Sequence, residues 1–219
     1  MTITLVFLAA LMAVLVGWLF RQSVNVTPWI AEPGVTRAQA ATSMPAAKLG
    51  LLVFLAVVVS LFALFVSAYL MRMHMGDWRS LPEPSLLFVN TGVLVLASVG
   101  LQWAWRSARY GDPLALKRGL MVGGAGALVF VVGQLLAWQQ LVASGYFLST
   151  NPANAFFYVL TALHGLHLLG GLVAWSRTAL KVWRGFDARA VRLSVELCAI
   201  YWHFLLILWL VLFSLLLST

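Results

Sequence analysis

The residues of this chain best suited to chemistry are histidines set in apolar sequence. His164 and His167 stand three residues apart in FYVLTALHGLHLLGGLVAW, Phe157 to Trp175, and His203 stands in VELCAIYWHFLLILW. Imidazole nitrogens can ligate zinc, copper or haem iron, can relay protons, or can serve as hydrogen-bonded fittings between helices. Each histidine lies ten to thirteen residues into its apolar run, about 15 Å deep at the rise of an α-helix, so all three fit one depth in two antiparallel neighbours. Glu196 precedes His203 by seven residues and shares its helical stripe. It is the one carboxylate of six that falls inside an apolar run. A charge at mid-bilayer costs on the order of 2.5–3.5 kcal/mol, so Glu196 must face protein or water. It can pair with Arg192 at i,i+4, meet lipid headgroups, or carry protons.

The donor set is thin for a metal. No carboxylate within a run is placed to orient the free nitrogens of His164 and His167. Cys198, the single cysteine, is five residues from His203 on another helical face, and it allows no internal disulfide and no CxxC pair. A bis-histidine haem takes ligands that face each other across the porphyrin, which a one-turn pair cannot supply. Hydrogen-bonded packing accounts for the same residues, because buried polar groups need partners whatever their role. A transporter or proton channel would line a path with charged groups at mid-depth; this chain has almost none, and Asn90, Gln102 and Gln134 are thin material for a proton wire.

The elements that must position these residues are membrane spans. The chain has 219 residues, 63% hydrophobic and 9% charged, a balance that excludes a soluble globular domain. Six apolar runs approach or exceed the roughly 20 residues a spanning helix needs, at about 3–20, 49–71, 85–105, 119–142, 154–176 and 193–217. No Lys or Arg precedes the first run and no small-residue cleavage site follows it, so it reads as a retained helix. Arg21, Arg37 and Lys48 follow the first run; Arg106, Arg109, Lys117 and Arg118 follow the third; Arg177, Lys181, Arg184, Arg189 and Arg192 follow the fifth. Twelve of the fourteen basic residues thus fall on one side, with Arg72 and Arg79 opposite. The positive-inside rule makes that side cytoplasmic and turns both termini outward. The net charge of +8 is therefore a topology signal and not a nucleic-acid footprint. The first loop, with Pro28, Pro33, Gly34 and Pro45, is irregular; the other connections are short. Trp18, Trp78, Trp103, Trp105, Trp138, Tyr146 and Trp175 fall near predicted span ends, as an interfacial aromatic belt would. Gly119 and Gly123 form a GxxxG that allows close helix packing.

These motifs resemble one family. FFYVLTALHGLHLLGGL, Phe156 to Leu172, is similar to the signature of subunit III of haem-copper cytochrome c oxidases. VELCAIYWHFLLILWLVLF resembles that family's last helix, with Glu196, Tyr201, Trp202, His203, Phe204 and Trp209 at matching positions. Weaker likenesses come in the same order: KLGLLVFLAVVVSLFALFVSAYL from Lys48, LPEPSLLFVNTGVLVLAS from Leu81 and GQLLAWQQL from Gly133. The resemblance runs from about Lys48 to the C-terminus.

The resemblance implies an all-α integral membrane protein in the bacterial cytoplasmic membrane. Residues 1–47 would hold one span and a cytoplasmic loop, and 48–219 a five-helix core. It implies an accessory subunit without catalytic residues, packed on subunit I beside subunit II. Haem and copper would lie in those partners and none in this chain. Phospholipid would lie in a cleft, and the subunit would sustain proton uptake. His164, His167, Glu196, Tyr201, Trp202 and His203 would then belong to a lipid-binding or helix-joining network. The chain departs from the family where in-membrane acids are common: Val58, Ala137 and Leu206 replace them. Four histidines are too few for subunit I, and one cysteine too few for the copper site of subunit II. Related subunits of quinol oxidases or nitric oxide reductases, and a small transporter, are the alternatives.

Overall fold

A computed structural model of the protein describes residues 45–81 and 85–218, without the side chains of residues 188 and 189. The apolar run at 3–20, the loop prolines before Pro45, Trp18 and Glu83 lie outside the described residues. Five helices follow one another: α1, Ala46–Arg72; α2, Leu86–Tyr110; α3, Pro113–Ala143; α4, Pro152–Trp183; and α5, Ala188–Leu217. No strand occurs among the described residues. All five helices are long and apolar enough to cross a membrane. At 25 to 32 residues they measure about 38–48 Å, more than the hydrocarbon core of about 30 Å, so their ends reach the headgroups.

Four of the five helices start earlier than hydropathy alone places them, and α2 and α4 run well past their expected ends. The run expected at 119–142 begins at Pro113, because Asp112 caps it: its Oδ1 accepts from the backbone N–H of Leu114 and of Ala115, each at 3.0 Å. Proline at the next position gives up no helical hydrogen bond. Asn151 and Pro152 open α4 in the same way, with Asn151 Oδ1 accepting from Ala153 N at 3.1 Å. The run expected to end at 176 continues to Trp183, since Arg177 and Lys181 are good helix formers whose charges reach the interface. The turn between α2 and α3 uses only Gly111 and Asp112, and Gly111 takes φ +77° to close α2.

Two kinds of seam hold the bundle. Between α2 and α3 the contact is backbone-close: a Cβ at Gly119 would lie 2.6 Å from Ala104 N, and one at Gly126 2.9 Å from Ala97 Cβ. A Cβ at Gly123 would lie 2.5 Å from Leu101 Cγ, so Gly119 and Gly123 both face α2 within the chain. α5 packs on α2 and α4, and α3 on α4. By contrast, α1 touches the others through long side chains rather than by close backbone approach. It buries Leu55, Val58, Phe62 and Tyr69 and exposes most of its remaining surface. Trp138 and Trp175 each tie α3 to α4. Trp138 Nε1 donates to Thr161 Oγ1 at 3.1 Å, and Trp175 Nε1 donates to the Leu120 carbonyl at 3.0 Å. Each indole N–H thus finds its acceptor on a neighbouring helix.

Candidate functional site

Because α1 stands off from its neighbours, a cavity of about 480 Å³ opens between α1, α4 and α5. Leu51 and Phe54 of α1 form one wall. Gly170, Gly171, Ala174, Arg177, Thr178 and Lys181 of α4 form the second, and Ser194, Leu197, Cys198, Tyr201 and Trp202 of α5 the third. The α4 wall is a single helical stripe that changes along its length, from two glycines through alanine to two cations. The glycines let α5 come close: a Cβ at Gly171 would lie 2.6 Å from Tyr201 Cε1 and 2.8 Å from Trp202 Cζ3. Trp202 is completely buried, and its indole N–H has no acceptor among the described residues. The carboxylate nearest in sequence to this wall, Glu196, is already paired. The cavity therefore combines apolar walls with two cations at one end, which suits an amphiphile with an anionic head.

The residues singled out in the sequence go to different seams. His164 is fully buried where α3, α4 and α5 meet. Its Nε2 donates to the Leu205 carbonyl at 3.2 Å, and its ring lies 5.6 Å from Phe130 and 5.0 Å from Trp209 between centroids. His167, one turn later, returns Nδ1 to the Leu163 carbonyl of its own helix at 2.7 Å. Its ring meets Phe62 and Phe54 of α1, at 5.6 and 6.3 Å. Tyr201 donates its hydroxyl to the His167 carbonyl at 2.9 Å and ties α5 to α4 at the cavity wall.

His203 turns away from this cavity to α2. Its Nε2 lies 2.8 Å from Gln102 Oε1 and its Nδ1 2.5 Å from Ser98 Oγ. These partners assign the proton: Nε2–H donates to the amide oxygen and Nδ1 accepts from the serine hydroxyl. Glu196 pairs with Lys48 of α1 at 2.7 Å, and not with Arg192. Lys48 enters from another helix with a flexible stem and reaches the half-buried carboxylate across the cavity's edge, while Arg192 is exposed. The shared stripe and depth of His164, His167, Glu196 and His203 thus do not bring them into one cluster. Each is committed to a different neighbour, and among the described residues no three His, Cys, Asp or Glu side chains gather as a metal site would require.

Sequence reasoning missed Arg177 and Lys181, which it read only as loop charges. The signal was present: Gly170, Ala174, Arg177 and Lys181 recur at helical spacing beyond the predicted end of the span. It also missed Ser98, one of the two α2 partners of His203. A serine among apolar residues carries no distinguishing pattern of its own.

Comparison with known proteins points to subunit III of cytochrome c oxidase. The model for "Cytochrome c oxidase subunit III" matches residues 1–218. A protein of Synechocystis named "Cytochrome c oxidase subunit 3" is 31% identical over 175 residues, covering 76% of this chain and 72% of that protein. One of the same name from Thermostichus vulcanus is 31% identical over 176 residues, covering 77% of this chain and 85% of that protein.

Proposed function

This chain belongs to the cytochrome c oxidase subunit III family, and from that premise we propose that it holds phospholipid against the catalytic subunits of a respiratory oxidase. The observation that carries the reading is the cavity between α1, α4 and α5. Its apolar walls take acyl chains, and Arg177 and Lys181 take a phosphate. A guanidinium and an ammonium four residues apart on one helix can grip one phosphate from two directions. Lipid held there fills space that the backbone of α1 does not close, and so stiffens the subunit where side-chain packing is sparse.

In this reading the subunit binds no haem or copper. Those groups lie in subunits I and II, and the present chain supports them by bounding the lipid around the proton-uptake side. Lys48, Arg177, Lys181, Arg184 and Arg192 mark one end of the bundle and Arg106, Arg109, Lys117 and Arg118 the same end of α2 and α3, which we place in the cytoplasm. With the run at 3–20 counted as a sixth span, ahead of the 48–219 core, both termini face outward. The chain itself supplies no in-membrane acid for a proton wire: Val58, Ala137 and Leu206 stand at the candidate positions, and Glu196 is engaged by Lys48.

The test is a tagged purification from native membranes in mild detergent. Stoichiometric haem bands, a large co-purifying subunit and retained phospholipid are expected. The double variant Arg177→Gln, Lys181→Gln should lose phospholipid with the haem spectrum unchanged. A colourless, solitary chain from membranes that contain the oxidase would overturn the assignment, and an unchanged lipid count in the variant would overturn the cavity as the lipid site.

A further inference from the structure

The Lys48–Glu196 pair has a place in the fold that lipid binding alone does not explain. Lys48 is in the first turn of α1, and Glu196 is on α5. Leu51, one turn after Lys48, and Ser194 and Leu197, beside Glu196, all line the cavity. The pair therefore spans the cavity's inner rim. It is half-buried, with the two side chains 31% and 22% exposed.

The remaining ties of α1 lie farther along it. Phe62 meets the His167 ring, and Tyr69 stacks edge-on against Trp78 and Phe156 at 4.9 and 5.4 Å. Near Lys48 the other ring contacts come from Phe54, itself 47% exposed, against His167 and Tyr201. One end of α1 is thus fixed by buried rings. The other has the half-exposed Phe54, the buried Leu55 and one ion pair, the only ion pair among the described residues that joins α1 to another helix.

We propose that Lys48 and Glu196 form a releasable clasp across the inner mouth of the cavity, whose opening lets α1 pivot on its Phe62–Tyr69 end and pass a phospholipid in or out. This rests on the lipid reading above. The chemistry favours a clasp over a fixed brace. Breaking an ion pair is costly when it strands a charge in an apolar site. Here a passing headgroup phosphate can accept from Lys48, while Glu196 stays within reach of water at the rim. A purely apolar seam would offer no such exchange of partners.

The test uses the whole oxidase complex in nanodiscs. Exchange of deuterated phosphatidylglycerol into the complex is followed by native mass spectrometry for wild type, Lys48→Met, Glu196→Gln and the swap Lys48→Glu, Glu196→Lys. Each single variant should exchange about fivefold faster, the factor that about 1 kcal/mol of lost coupling gives at 1.4 kcal/mol per tenfold, and the swap should return to within about twofold of wild type. In parallel, spin labels at Val53→Cys and Leu180→Cys in a Cys198→Ser background, both sites exposed, report the α1–α4 distance. Its distribution should broaden in Lys48→Met and narrow again in the swap. Unchanged exchange and an unchanged distance in the single variants would overturn the clasp. A swap as fast as the single variants would overturn the pairing as its cause. A wild-type complex that holds no phospholipid would overturn the lipid reading instead, with the spin-label distances still deciding whether α1 is clasped.

Discussion

The same substitution at two glycines should have different consequences, and the contrast tests the backbone contact that sets the α2–α3 seam. A Cβ at Gly119 would stand 2.6 Å from the backbone nitrogen of Ala104 and 2.8 Å from its Cα. Non-bonded carbon contacts settle at about 3.5–4.0 Å, so α2 and α3 would have to part locally by about 1 Å. Neither contact atom belongs to a side chain that could rotate aside. Overpacking of this kind costs about 1–3 kcal/mol, or about 5- to 150-fold in a folding equilibrium. Gly165, on α4, has nothing within 4 Å of the same added atom. Alanine there should lie within about 0.5 kcal/mol of wild type. Its better helix propensity counts little, because a membrane span stays helical when the bundle comes apart. The assay is unfolding of the purified complex by SDS titration, read by tryptophan fluorescence and by release of this chain. Gly119→Ala should shift the midpoint to lower SDS and Gly165→Ala should leave it in place. Equal midpoints for the two variants would refute the argument that backbone contact at Ala104 sets the α2–α3 seam.

Three further outcomes are expected. His203→Leu strands Ser98 Oγ and Gln102 Oε1 and should cost about 1–2 kcal/mol, given roughly 0.6 and at most about 1.7 kcal/mol for a hydrogen bond within a membrane; gel filtration should show the subunit dissociating sooner while the haem bands stay intact, and a lost haem band would show that His203 serves a cofactor. Tyr201→Phe keeps the ring at the cavity wall but removes the hydroxyl donated to the His167 carbonyl, for about 0.5–1.5 kcal/mol, so the SDS midpoint should fall with lipid content unchanged; lipid loss would show that the hydroxyl itself binds lipid. In the loop after α1, the hydrogen bonds from Arg72 hold the Asp77 carboxyl below the usual aspartate range, against a smaller opposing effect of desolvation. With the folded value depressed, the pair's contribution is present above the ordinary aspartate pKa of about 3.9 and is lost as pH falls through the folded value. Carbon-13 NMR should find a midpoint below 3.9 that Arg72→Gln brings back, and an unshifted midpoint would rule the pairing out in solution.

The sequence by itself determined the class of molecule. An apolar fraction of 63% and runs of about 20 residues leave helices as the elements that satisfy the backbone in lipid, and the cations alternate between loops as membrane insertion requires. It also carried the family, through the two-histidine motif and the Tyr201–Trp202–His203–Phe204 run. It carried the starts of α3 and α4 too, in Asp112–Pro113 and Asn151–Pro152, though hydropathy averages hid them because capping residues are polar.

Only the tertiary structure decided who meets whom. Helical periodicity says which residues share a face, but it does not say which neighbour that face will meet. Glu196 and His203 lie on one stripe, yet one reaches Lys48 on α1 and the other Gln102 and Ser98 on α2. His164 and His167 lie one turn apart, yet one is sealed among Phe130, Trp209 and Leu205 and the other meets the rings of α1. The cavity follows from a contrast that no single helix contains: glycine and alanine draw α2 and α3 into backbone contact, whereas aromatic rings and one lysine hold α1 at side-chain length. Interhelical distance is set by the pair of surfaces that meet, and that pairing is a property of the fold.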